Sequence, residues 1–243
     1  MEAANTLLIL PCCAAKAPAG DPWYRFSQAL SDYVEPSVYS ALLQGRRSVL
    51  ESVRKESRYT TDNYARNLGI RLGPDFGGDD RTGAYLSAID RYLGSLYTAE
   101  PNLSRHMRES IVLGRSPHVL ILSALYGPLH PLDLIQDYNL KMSDRPAYGT
   151  WRSVFPSFLD RYVRRNAVTD IRLYLGGSTK YLEVAALAAR PLLQRGIVKR
   201  VVQYEVVNGN SYHTPHIHGL LLAEHLGVAT ASSRKRDVVE VSL

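Results

Sequence analysis

The hydrophobic pattern opens with a continuous apolar run, Leu7-Leu8-Ile9-Leu10, ended by Pro11. Four apolar residues without polar alternation suit a strand covered on both faces, as in a parallel sheet. Val119–Leu122, Ile171–Leu175 and Lys199–Val207 read as three more strands. Between and after them the spacing predicts helices over Trp151–Val163, from Lys180 to about Gln194 and over Ile217–Leu226. Another helical pattern runs from Phe26 to about Leu50, broken around Glu35-Pro36, where proline lacks an amide donor. Tyr85–Tyr97 and Leu103–Leu113 read as amphipathic helices, and Val238–Val241 as a short edge strand.

Strands spaced by helices imply an α/β fold, with a mostly parallel or mixed central sheet flanked by helices. The polar, glycine-rich segment Ser57–Gly83 is a long loop, or part of a helical insertion at about 57–113 within one domain spanning 1–243. In such sheets ligands bind beyond the carboxyl ends of the strands. The segments that follow the strands are therefore where chemistry is sought.

Composition narrows the classes. The 243 residues are 45% hydrophobic and 21% charged, ordinary values for a chain with a sizeable core. No run approaches the ~20 apolar residues needed to span a bilayer, and Glu2 stands where a basic leader would be, so the expectation is a cytoplasmic protein with no membrane partner. The two cysteines, Cys12 and Cys13, are adjacent, which rules out a disulfide framework and leaves thiols free. A net charge of +6 favours contact with a polyanion without requiring one.

Four segments carry candidate chemistry. The first is Pro11-Cys12-Cys13-Ala14-Ala15-Lys16. A thiol beside Lys16 is a candidate nucleophile, although a small buried hydrophobe is the commoner fate of cysteine, and Lys16 serves equally as an anion anchor. The second runs from Ser123 to Tyr138, with a turn forced at Gly127-Pro128. Ser123, Tyr126, Asp133, Asp137 and Tyr138 place hydroxyls and carboxylates on this excursion, which Leu129, Leu132, Leu134 and Ile135 would anchor. The alternative is a structured loop whose polar groups satisfy its own backbone. The third is Gly176-Gly177-Ser178-Thr179-Lys180-Tyr181, a glycine turn suited to close approach of an anion or flat ring, or simply a turn with Ser178 as helix cap. The fourth is His213, His216 and His218, with His225 further along, whose spacing invites a metal, yet no carboxylate or thiol completes a site; a helix N-terminal residue touching substrate or phosphate is the better functional reading, and solvated loop histidines suit the segment best. No metal and no cofactor are assigned.

The stretch Ile121–Met142 is similar to the signature of the YaaA family of peroxide-stress, DNA-associated proteins. Leu10–Lys16, followed by Arg25-Phe26 and Ala29, resembles the Pro-Cys-Ser-x-x-Lys-Pro segment of the archaeosine synthase core domain, with Cys13 in place of serine and Ala17 in place of proline. Together the resemblances imply a YaaA-like fold and chemistry on nucleic acids or their bases. The expected partner is DNA, or a nucleoside or base, and no oligomeric state is assigned.

On this reading the protein converts the nitrile of a cyano-7-deazaguanine, in DNA or as its nucleoside, to an amide. Cys12 or Cys13 attacks the nitrile and Asp133 or Asp137 activates water. Lys16, Ser123, Tyr126, Gly127, Tyr138, Gly176, Gly177, Ser178 and Tyr181 bind the substrate. Arg46-Arg47, Arg164-Arg165 and Arg234-Lys235-Arg236 are candidate phosphate contacts, though such runs are more often a solvated helix face or tail. The alternative is a non-catalytic DNA-binding stress protein of the YaaA type. Cleavage of a glycosidic bond suits the fold but lacks a paired carboxylate.

Overall fold

The computed structural model describes residues 5–59, 61–211, 213–228 and 238–243. Its centre is β1 (Thr6–Pro11), whose Leu7–Leu10 are all fully buried. On one side β1 pairs in parallel with β3 (His118–Ser123), and on the other with β6 (Asp170–Leu173). A fourth parallel strand, β7 (Arg200–Val206), follows β6. Both edges are antiparallel: β4 (Gly127–Leu129) lies on β3 and β8 (Val238–Ser242) on β7. The sheet order is β4-β3-β1-β6-β7-β8, the mixed and mostly parallel α/β architecture that the sequence predicts.

Helix α4 (Arg145–Arg165) packs against both α1 (Pro36–Lys55) and α5 (Lys180–Gln194), and α6 (His213–His225) packs on β7. Helix α5 has the bounds its periodicity predicts. Its cap is Thr179, not Ser178: the Thr179 hydroxyl accepts from the Leu182 amide at 3.3 Å and donates to the Gly176 carbonyl at 2.8 Å.

Two stretches differ from expectation. Tyr85–Tyr97 does not form a helix. It holds β2 (Tyr85–Ser87) and a single turn, α2 (Ala88–Arg91), because Tyr85–Ser87 pairs antiparallel with β5 (Leu134–Gln136). The excursion after β3 is likewise no simple loop, since it contributes both β4 and β5. Residues 57–113 contain short 3-10 helices, β2, α2 and one longer helix, α3 (Leu103–Val112).

The excursion is held by charge buried inside the protein. Arg46 on α1 is fully buried and donates to the carbonyls of Tyr126, Asp75 and Pro128 at 2.9, 3.1 and 3.1 Å, with Asp133 3.8 Å away. It is therefore not a phosphate contact. Its neighbour Arg47 donates to the Phe76 and Gly77 carbonyls. Arg164 pairs with Asp160 on an exposed face, Arg165 is exposed, and Arg234-Lys235-Arg236 lie outside the described residues.

From β1 the chain crosses to β3 on one side and then to β6 and β7 on the other. The connections leaving β1 and β6 therefore diverge, which opens a crevice beyond their carboxyl ends, where open α/β sheets bind ligands.

Candidate functional site

A cavity of about 560 Å³ occupies that crevice. Pro11 and Cys12 come from the end of β1, Tyr174 and Gly176–Thr179 from the end of β6, and Glu205 and Val206 from the end of β7. Tyr181 on α5 and Thr214, Pro215 and His218 on α6 complete much of the wall. Three of the four stretches singled out in the sequence thus meet in one cavity, through Cys12, through Gly176–Thr179 with Tyr181, and through His218, whereas the Ser123–Tyr138 excursion contributes no residue to its wall.

The two thiols have different surroundings. Cys12 lies 3.0 Å from the Tyr181 hydroxyl and faces the cavity, while its amide continues the sheet ladder by donating to Leu122 at 3.0 Å. Cys13 turns away, donating to the Ala15 carbonyl at 3.0 Å and accepting from the Gly94 amide at 3.2 Å. Burial and the neighbouring Cys12 push the Cys13 thiol up to about 11, so it stays protonated at neutral pH. A methyl group on Gly94 would sit 2.6 Å from the Cys13 Cβ, so the bare glycine makes room for this side chain. Of the pair, Cys12 has a nucleophile's position.

Beside Cys12 lies a group of buried hydroxyls. Ser123 Oγ is 2.8 Å from the Tyr138 hydroxyl, which is 3.0 Å from that of Tyr92. Burial, and then the adjacent Cys12 sulfur, hold the phenols of Tyr138 and Tyr181 well above their usual range. Both remain O–H donors at neutral pH. Lys16 Nζ lies over the Tyr138 ring, 4.1 Å from its centroid, and donates to the Cys13 carbonyl at 2.7 Å. Burial lowers its pKa, while the charges of Cys12, Cys13 and Asp137 oppose that shift.

Other sequence candidates have structural roles. Asp133 is fully buried and lines no part of the cavity; it accepts from the Leu30 and His130 amides at 2.9 and 3.1 Å and faces Arg46. Asp137 pairs with Arg66 at 3.5 Å, outside the cavity wall. Tyr126 is a core residue, donating to Asp75 at 2.8 Å and accepting from the Gln136 amide at 3.0 Å. Gly127 has a φ of +66°, and a methyl there would lie 2.4 Å from the Trp151 ring, so packing and backbone conformation account for it.

The histidines do not converge. His213 is exposed, His216 half-buried, and His218 is buried with Nε2 2.8 Å from the Tyr204 carbonyl. Burial lowers the His218 pKa. Among the described residues no group of three or more His, Cys, Asp or Glu is placed to hold a metal. Nor is any helix among them long and apolar enough to cross a membrane.

Glu205 is one of the cavity residues that sequence reading missed, with Tyr174 and Thr214 among the others. It is the penultimate residue of β7, and its Oε1 lies beside Gly177, where a methyl group would be 3.7 Å away. Attention to the last residues of the strands, and not only to the loops after them, would have found it.

Residues 36–205 match the family model described as Peroxide stress protein YaaA. The chain belongs to the YaaA family. The match takes in the Ser123–Tyr138 excursion, the glycine turn and Glu205, whereas Cys12 and Lys16 precede it. A UPF0246 protein of Paraburkholderia phytofirmans is 31% identical over 118 residues, 43% of either chain. Another, from Psychrobacter arcticus, is 29% identical over 170 residues, which cover 67% of this YaaA-family chain and 55% of its own. A third, from Magnetococcus marinus, is 38% identical over 65 residues, 26% of this chain and 25% of its own. The chain spans about half the length of the first two of these relatives, and less of the third.

Proposed function

We propose that this YaaA-family protein hydrates the nitrile of a cyano-7-deazaguanine base, carried in DNA or as its nucleoside, to the amide. The observation that carries the reading is the Cys12 thiol, 3.0 Å from a protonated phenol in a cavity of about 560 Å³. That volume falls within the range of small-molecule sites, and a base from duplex DNA would have to flip out to enter.

The chemistry balances on residues at hand. The Cys12 thiolate adds to the nitrile carbon while the Tyr181 hydroxyl gives its proton to the nitrile nitrogen, forming a thioimidate. The Tyr181 phenolate, a strong base in its buried setting, then takes a proton from water as the hydroxide adds to the same carbon. Collapse expels the Cys12 thiolate and leaves an imidic acid, which tautomerises to the amide. Water activation thus moves from Asp133 or Asp137, neither of which lines the cavity, to Tyr181. Ser123, Tyr138 and Tyr92 form a hydroxyl network behind the thiol. The archaeosine-synthase-like character of Leu10–Lys16 agrees with nitrile chemistry at this strand end.

The test is liquid chromatography with mass spectrometry of the nitrile nucleoside, free and within an oligonucleotide, after incubation with the protein. The expected product is heavier by one water, and Cys12→Ala abolishes its formation. Turnover undiminished in Cys12→Ala refutes the covalent route.

A second reading, DNA binding without base chemistry, draws support from the net charge and from a groove of about 430 Å³ next to the cavity. The groove shares Gly177–Thr179 with the cavity and is lined by Arg152 and Arg190. Salt-dependent DNA affinity with no change in any base would favour it.

A further inference from the structure

We infer that Glu205 reads the guanine-type edge of the base and so sets which ring the cavity accepts; this rests on the nucleobase reading above. The exposed Glu205 side chain has no hydrogen-bond or ion-pair partner among the described residues, and its carboxylate stands at the cavity wall on the same strand face as the buried Gln203. Both side chains approach the bare Gly177: a methyl there would lie 3.6 Å from Gln203 Nε2 and 3.7 Å from Glu205 Oε1. A carboxylate offers two acceptors and no donor. Its complement is an edge with two adjacent N–H donors, which the ring N–H and the 2-amino group of a guanine-type base provide. An adenine-type edge sets a ring-nitrogen lone pair beside its amino group, so one carboxylate oxygen would face a lone pair.

The layout of the sheet supports this orientation. Cys12 follows β1 and Glu205 lies on β7, with β6 between them. Two inter-strand spacings of about 4.8 Å put these chain segments roughly 10 Å apart. That is the scale of a fused two-ring base held by hydrogen bonds at its six-membered edge and attacked at a substituent on its five-membered ring. A base read by Glu205 therefore points its 7-substituent back toward Cys12.

The experiment uses the full chain carrying Cys12→Ala, so that binding is measured without turnover. Three nitrile-bearing nucleosides are titrated: the 7-deazaguanine compound, the same ring lacking its 2-amino group, and the 7-deazaadenine compound. The guanine-type compound is expected to bind tightest, with loss of the 2-amino group weakening it roughly 10-fold or more, as for hydrogen bonds to a charged group. Adding Glu205→Gln exchanges one acceptor for a donor, which suits the adenine-type edge, so the preference should reverse. A structural role for Glu205 would weaken all three alike. Binding with an unchanged ranking in Glu205→Gln overturns the inference while leaving the nucleobase reading standing. Absence of binding by all three to the Cys12→Ala parent overturns both.

Discussion

Cys12 and Tyr181 are 169 positions apart in the chain, yet the thiol and the phenol are 3.0 Å apart. The contact exists because β1 and β6 are neighbours in the sheet and α5 begins just beyond β6. Its consequence is selective reactivity. Cys12 is buried but faces a cavity, whereas the half-buried Cys13 lies against Gly94 with its pKa raised to about 11. At pH 8 roughly one Cys13 in a thousand is a thiolate. Iodoacetamide at that pH should therefore label the native protein once, at Cys12, as read by peptide mapping. Equal labelling of both cysteines would contradict the geometry.

Removing the Tyr181 hydroxyl should spare the fold and slow the chemistry. Tyr181→Phe is expected to lower nitrile turnover roughly 10²–10⁴-fold, the usual contribution of a positioned acid–base group, with the melting temperature nearly unchanged. A turnover within twofold of the parent would remove Tyr181 from the mechanism.

Arg46 presents the reverse case, a structural charge. Arg46→Met removes the positive charge beside the buried Asp133 and strips donors from three carbonyls. Urea denaturation should show a loss of roughly 3–5 kcal/mol, as when one partner of a buried ion pair is removed. A change under 1 kcal/mol would mean that the excursion after β3 is held by other contacts.

The sequence made the framework legible because buried parallel strands are continuous apolar runs. Leu7–Leu10 and Val119–Leu122 need no partner to be recognised. Tyr85–Ser87 is a strand only because Leu134–Gln136 lies beside it, and nothing within three residues encodes that pairing. The site was legible at Cys12, Gly176–Ser178 and Tyr181, which follow strands. Asp133 misled for the same reason that Arg46 did: a charged residue reads as solvated or reactive until its burial is known. Glu205 was passed over because it sits inside a strand's alternation.

Buried ionisable groups make stability depend on pH in opposing ways. Burial raises the carboxyls of Asp75 and Asp133 to about 6 and depresses His130 to about 4. Between pH 4 and 6 each carboxyl binds more proton when folded than when unfolded, so its contribution falls as pH rises, by on the order of 3 kcal/mol in all. His130 sheds a proton on folding over the same window, so its contribution rises with pH. His130→Gln should therefore steepen the decline in unfolding free energy from pH 4 to 6, by up to about 1.4 kcal/mol per pH unit. A slope identical to the parent's would place His130 in a solvated setting.

Gly127 tests the turn into β4. Gly127→Ala combines a left-handed backbone with a methyl directed at the Trp151 ring. The expected cost is roughly 2–5 kcal/mol, visible as a lower urea midpoint. A midpoint equal to the parent's would show that Trp151 can move aside.

The central claim is attack by Cys12 on the nitrile, and intact-protein mass spectrometry of reactions acid-quenched during turnover tests it most directly. The expected result is one nucleoside attached to the peptide bearing Cys12, retained in Cys13→Ala and absent in Cys12→Ala. Complete conversion of nitrile to amide by Cys12→Ala, with no adduct on the parent protein at any time, would contradict it.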